Sequence, residues 1–222
     1  MRRYPLAPGA RRDRQSRPTY TTDWHRLSIV IGLAAVLGLA ALYGYVQQRT
    51  RILYVYSSQE TDGRAALDYV NEIRQRFGRS PLAYDRRAFS LAMMRAWDMR
   101  KYRYYDHTNP FNGSCPYTMK TEYGFQPHEF VAENLNGYPD YTEDFFTLTE
   151  KRPIREAVDA WMGSRGHRFN LLYEHHTAGA IACYKDKCVF LGVNQRGFGE
   201  GCVTAAEGLH HWQTIPLQPG EL

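Results

Sequence analysis

The sequence lacks the short motifs that mark several large enzyme classes. His128-Glu129 opens like an HExxH zinc motif, but the fifth position is Ala132. There is no glycine-rich phosphate loop, no dinucleotide-binding glycine pattern and no GxSxG elbow, and Gly197-Phe-Gly-Glu-Gly201 reads as a turn. A Ser–His–Asp set assembled through space leaves no spacing to test and stays open. There is no internal repeat and no CxxC pair. An excess of one charge is missing too, once the first 26 residues are set aside. Those residues carry seven Arg and two Asp, which equals the formal net charge of +5 for all 222 residues and leaves 21 charges of each sign beyond them. The basic pI therefore belongs to the N-terminal segment and gives no reason to expect a nucleic-acid-binding face. With 43% hydrophobic and 23% charged residues, the composition excludes a disordered or collagen-like chain and suits one globular domain with appendages.

One long run has no charge at all. Leu27 to Val46 (LSIVIGLAAVLGLAALYGYV) would span about 30 Å as a helix, the thickness of a bilayer core. Arg26 and Arg49 flank it, and Tyr43 and Tyr45 lie near its end as interfacial aromatics do. The run exceeds the usual apolar stretch of a signal peptide, and its basic lead is long, which favours a retained anchor. Cleavage near Gly38-Leu39-Ala40, with release of the remainder, is the competing reading. Either way the Arg-rich side stays in the cytoplasm and the C-terminal part faces outward. The expected organisation is a basic cytoplasmic tail over 1–26, a membrane helix over 27–46, a stalk over 47–61, a folded domain over 62–196 and a tail over 197–222.

Cys115, Cys183, Cys188 and Cys202 all follow the apolar run and so fall in an oxidising space, where four cysteines permit three pairings. Cys183 and Cys188 bracket a polar tetrapeptide between two apolar runs, and a bridge across that hairpin leaves Cys115 for Cys202. Such a pair would lay residues 197–202 across the loop that carries His107. Asn112-Gly-Ser114 is a glycosylation acceptor pattern.

Periodicity predicts a helix from Asp62, with Ala66, Val70, Ile73 and Phe77 on one face and Gly78 ending it. A second helix fits 85–102, capped by Asp85, with Phe89, Ala92, Met93, Ala96 and Met99 inward. Pro153 opens a third, through Met162. Residues 178–183 and 188–193 read as two strands of a hairpin. The tail 197–222 shows no periodicity. Helices followed by strands argue an α+β layered domain.

Three segments carry a resemblance: Tyr105-Asp-His-Thr-Asn-Pro110, Ala132-Glu-Asn-Leu135, and Ala157-Val-Asp-Ala-Trp-Met-Gly-Ser-Arg-Gly-His-Arg-Phe-Asn-Leu171. In this order they resemble the CAP (SCP) superfamily of cysteine-rich secretory, antigen 5 and pathogenesis-related 1 proteins, most nearly its short bacterial and archaeal branch. The likeness covers about 65 to 196. It implies an α-β-α sandwich with a small antiparallel sheet, and a cleft where His107, Glu133 and His167 meet. Animal members carry a further Glu three residues after the helix Trp; here Ser164 follows Trp161 at that spacing. The resemblance implies no general enzymatic activity. It implies a binding module for lipid, envelope polymer or protein, with a cation bound in some members.

Two imidazoles and a carboxylate are a ligand set that zinc accepts, His107 and His167 being the metal candidates and Glu133 a ligand or a base of a metal-dependent hydrolase. The alternative is structural: His107 ordering its loop, Glu133 capping backbone amides, His167 sitting past a helix end. The pairs His175-His176 and His210-His211 read as solvated loop histidines, and Trp97 and Trp161 as core.

Overall fold

A computed structural model describes residues 23–54, 56–137, 146–150 and 153–214. Most of the basic segment 1–26 and the last residues of the tail lie outside them. The chain divides into two compact units, Met1–Gln48 and Arg49–Leu222. The described part of the first lies almost wholly in the helix α1 (Trp24–Arg49), long and apolar enough to cross a membrane, with none of its residues buried. A helix that buries nothing and has no polar face over twenty residues has an apolar surface left for another medium to cover.

The second unit begins with β1 (Thr50–Tyr54), followed by α2 (Glu60–Arg76), β2 (Ala83–Tyr84) and α3 (Arg86–Tyr102). Next come α4 (Pro116–Met119) with a 3-10 turn (Lys120–Tyr123), β3 (Phe130–Asn136) and β4 (Phe146–Glu150). Then follow α5 (Ile154–Gly163), α6 (Arg165–Leu172), β5 (Ala178–Tyr184), β6 (Lys187–Asn194) and α7 (Ala205–Thr214).

Four strands form the central sheet in the order β2-β5-β6-β3; β5/β6 and β6/β3 are antiparallel and β2/β5 is parallel. Alternation along β5 and β6 sends side chains to two separate cores. Ile181, Cys183, Cys188 and Phe190 join Leu67, Val70, Val158 and Trp161 from α2 and α5. Ala180, Ala182, Val189 and Leu191 join Leu91, Ala92, Ala96 and Met99 from α3. Strands covered on both faces need apolar residues at every position, which is why 178–183 and 188–193 read as unbroken runs. The result is the layered α+β sandwich that the resemblance implies.

Asp85 caps α3 as expected, accepting from the amides of Arg87 and Ala88. Three expectations need correction. Phe77, placed on the buried face, is the C-cap of α2 and 51% exposed, because the helix ends one residue earlier. Residues 47–61 are not a free stalk: α1 runs to Arg49, β1 pairs in parallel with β4, and the Ser58 amide donates to the Cys183 carbonyl at 2.8 Å. The tail holds the helix α7, whose apolar residues face a cleft instead of a core.

Candidate functional site

β3 is an edge strand of the sheet, and its two faces meet two different helices. Val131, Glu133 and Leu135 point toward α3, while Asn134 points toward α6. The Glu-Asn dipeptide therefore holds α3 and α6 through adjacent residues of opposite facing.

On the α3 side the centre is Arg95, fully buried in the apolar stripe of its helix. Its Nε donates to Glu133 Oε1 at 3.0 Å, its Nη1 to the Tyr104 hydroxyl at 2.7 Å, and its Nη2 to the Asp106 and His107 carbonyls at 3.0 and 2.9 Å. The Tyr104 hydroxyl in turn donates to Asp98, which also accepts from Asn109 Nδ2 at 2.9 Å. The loop 105–110 is thus fixed from beneath by a buried cation. His107 Nδ1 lies 2.9 Å from the other carboxylate oxygen of Glu133. Burial alone would raise the Glu133 carboxyl, but the Arg95 guanidinium and the His107 hydrogen bond hold it below the usual carboxylate range. A carboxylate so held accepts the Nδ1 proton and leaves His107 Nε2 as the reactive nitrogen.

On the α6 side His167 occupies the first turn of the helix, not a position past a helix end. Burial and the neighbouring His107 push its pKa down to about 4. The positive N-terminal end of α6 adds in the same direction, so the ring is neutral at pH 7. Asn134 Nδ2 donates to the His167 carbonyl at 2.9 Å, Asn170 Nδ2 donates to Asn134 Oδ1 at 2.9 Å, and His176 Nε2 donates to Asn170 Oδ1 at 2.7 Å. His176 is 2% exposed and not a solvated loop histidine; burial pushes it down to about 3. Trp161 is core as expected, its Nε1 donating to the Leu135 carbonyl at 2.7 Å. Trp97 is only half-buried, packed edge-on against Tyr102.

His107, Glu133 and His167 all line one cavity of about 990 Å³. Its inner wall is β3 and the start of α6. Its outer wall is the C-terminal segment, with Phe198, Val203, Leu209 and Trp212 facing inward. Disulfides join Cys115 to Cys202 and Cys183 to Cys188. The first draws the tail across the His107 loop, where Thr108 Oγ1 donates to the Val203 carbonyl at 2.7 Å. Gly199 adopts φ +88° and packs so closely on the backbone of Val131 that a side chain there would collide with it.

The donor set does not fit a zinc centre. Zinc sites take three or more protein ligands, and among the described residues no group of three His, Cys, Asp or Glu side chains is arranged to hold a metal ion. Both oxygens of Glu133 are engaged, one by Arg95 and one by His107, which leaves two imidazoles. Nor does Glu133 cap backbone amides, the structural role weighed for it. Reading the sequence missed Arg95 and the Asn134–Asn170–His176 chain. A charge at the centre of the stripe Ala88, Leu91, Ala92, Ala96, Met99 is the signal for Arg95, since buried charges are rare unless paired. The asparagines leave no periodic trace.

A model of the family described as CAP, the cysteine-rich secretory protein family, matches residues 67–193. A curated Bacillus subtilis (strain 168) protein described as uncharacterized protein YkwD is 31% identical over 121 residues, 54% of this chain and 42% of that one. The crystal structure of an extracellular protein containing a SCP domain from Bacillus anthracis str. Ames aligns with a TM-score of 0.50 at 23% identity, covering 61% of this chain and 41% of that one. An outer surface protein from Borrelia burgdorferi aligns with a TM-score of 0.49 at 16% identity, covering 64% of this chain and 99% of that one. The chain spans about two fifths of the length of the two Bacillus relatives. The family match stops before the segment that forms the cavity's outer wall.

Proposed function

Because the chain belongs to the cysteine-rich secretory protein (CAP) family, we propose that it is an anchored, outward-facing binding module. Its cleft takes an amphiphile with an apolar body and a polar end. The observation that carries this reading is the cavity itself. Its volume, about 990 Å³, is at the upper end of small-ligand pockets, its outer wall presents Phe198, Val203, Leu209 and Trp212, and its floor holds two imidazoles. The neutral ring of His167 offers a donor or an acceptor to a ligand's polar end without the cost of burying a charge. The helix α1 supplies the anchor and sets the module where such amphiphiles are at hand.

Hydrolysis is the weaker reading. A general base works best with a pKa near the working pH, whereas Glu133 is held ionised between Arg95 and His107. Among the described residues no hydroxyl or thiol is hydrogen-bonded to either cleft imidazole.

The test is retention of deuterated palmitate by the detergent-solubilised full chain, read by native mass spectrometry. Wild type is expected to hold about one equivalent. The variant His107→Ala/His167→Ala is expected to bind at least about tenfold more weakly with an unchanged far-UV spectrum, the loss of about 1.4 kcal/mol that one polar anchor supplies. Equal retention by both proteins, or none by wild type, overturns the reading.

A further inference from the structure

The outer wall of the cleft differs from the rest of the domain in how it is attached. No residue of α7 is buried, and Leu209 remains 61% exposed although it lines the cavity. An apolar helix face over an open cavity has given up little water, so its own packing holds it down weakly.

The described contacts of α7 with the body gather at its two ends. At the first end stands the Cys115–Cys202 disulfide, with Thr108 Oγ1 on the Val203 carbonyl and the Ala205 amide donating to Asp106 Oδ1 at 3.0 Å. Thr204 and Glu207 cap each other's amides, so the helix starts three residues beyond the bridge. At the far end the Trp212 indole packs on Phe169, with ring centroids 4.9 Å apart, and lies over Gly166. A Cβ on Gly166 would stand 2.5 Å from Trp212 Cδ1, so only glycine lets the ring lie there. Arg165 Nη1 donates to the Trp212 carbonyl at 2.8 Å. Arg165, Gly166 and Phe169 surround His167 on one turn of α6, so the far attachment sits on the same turn as the ligand-facing imidazole.

We propose that α7 is a hinged roof over the cleft, pinned at Cys202 and latched by Trp212 on α6, and that a ligand reaches His167 when the latch lifts. The proposal rests on the cleft being a ligand site, and it adds how that site is opened. The roof lies outside residues 67–193, the part of the chain that the family model matches. Hinge and latch differ in kind. A covalent bond keeps the helix attached at one end, while among the described residues the other is closed by non-covalent contacts of Trp212 alone, the Phe169 ring, the Arg165 guanidinium over the indole and the Arg165 hydrogen bond, so opening needs no loss of the domain's fold.

The test needs no ligand. Diethyl pyrocarbonate acylates neutral imidazoles, and His167 is neutral at pH 6.5, the pH of the experiment. In the full wild-type chain His167 is expected to react at least about tenfold more slowly than the exposed His128, and buried His176 more slowly still. Trp212→Ala, and separately a chain ending at Thr204, should raise the His167 rate at least about fivefold with His128 and His176 unchanged. Should a variant unfold, His176 reports it, and hydrogen exchange on wild type decides instead. The amides of 205–214 are expected to exchange together and at least about a hundredfold faster than those of 187–194. Reaction of His167 as fast as His128 in wild type, no acceleration in either folded variant, or α7 amides as protected as those of β6 would each overturn the roof. Palmitate retention can fail while this test succeeds, so the two readings fall separately.

Discussion

Arg95 and Glu133 occupy positions where two apolar faces would otherwise meet, with side-chain exposures of 0% and 5%. Glu133 faces Leu191 across the ladder, and Arg95 interrupts the stripe of α3. Their pairing converts two costly burials into one anchored loop. The worth of the pair shows when it is broken, because one partner left alone is an uncompensated buried charge. Arg95→Met should therefore lower stability by about 3–5 kcal/mol, with a thermal midpoint roughly 10 °C lower. Adding Glu133→Gln to that variant should restore a large part of the loss. A similar cost in both variants, measured by calorimetry, would mean that Arg95 matters for its packing and not its charge. The resemblance named Glu133 and the two histidines from the order of three segments. It could not name Arg95, whose partner lies 38 residues away and is brought to it only by the sheet.

At the scale of elements, what was legible had a period or a cap. The helix over 85–102 showed both and is found within one residue of its expected span. The hairpin 178–193 was legible because burial on both faces writes unbroken apolar runs. Two helices escaped for opposite reasons. The helix α6 has eight residues, two turns in which periodicity hardly develops, and it follows α5 across the single residue Ser164. The helix α7 does carry apolar residues, but they face a cavity, so no core imposes the regular stripe by which a packed helix is recognised. For α1 the composition was enough. The two readings of it diverge in a simple measurement. An anchor leaves the full-length chain in the membrane pellet after alkaline carbonate extraction, with residues beyond 56 open to protease from outside. A cleaved signal yields a soluble chain beginning near residue 41. Recovery of the shorter chain would place the folded domain off the membrane without altering its cleft.

For the whole molecule, the buried histidines set how stability answers to pH. Burial pushes His176 down to about 3 and His167 down to about 4, whereas an unfolded imidazole titrates near 6.5. Below about pH 6.5 the unfolded chain takes up protons that the folded chain refuses, so unfolding is favoured as pH falls toward the folded values. Their stabilising share is complete above pH 6.5. By pH 4.5 His176 alone should have withdrawn roughly 2–3 kcal/mol. Glu133, held below its usual range, adds its own loss in the same direction at still lower pH. Chemical denaturation of the full chain at pH 7.0 and 4.5 checks this. A midpoint unchanged between them would show that these imidazoles are not held neutral.

The bridge between Cys115 and Cys202 also has a bearing on how the domain is made. The two residues stand 87 apart, with the hairpin cysteines between them. If the chain is exported from its N-terminus onward, Cys115 arrives first and meets Cys183 and Cys188 before its proper partner has crossed. Ring closure favours short loops, and the five-residue separation of the hairpin pair lets those two thiols find each other first. Closing early, they are removed from competition, and Cys115 is left a single choice when Cys202 emerges. The small hairpin bridge thus acts as a chaperone of pairing: its removal would be felt as scrambled products during export before it was felt in the finished protein.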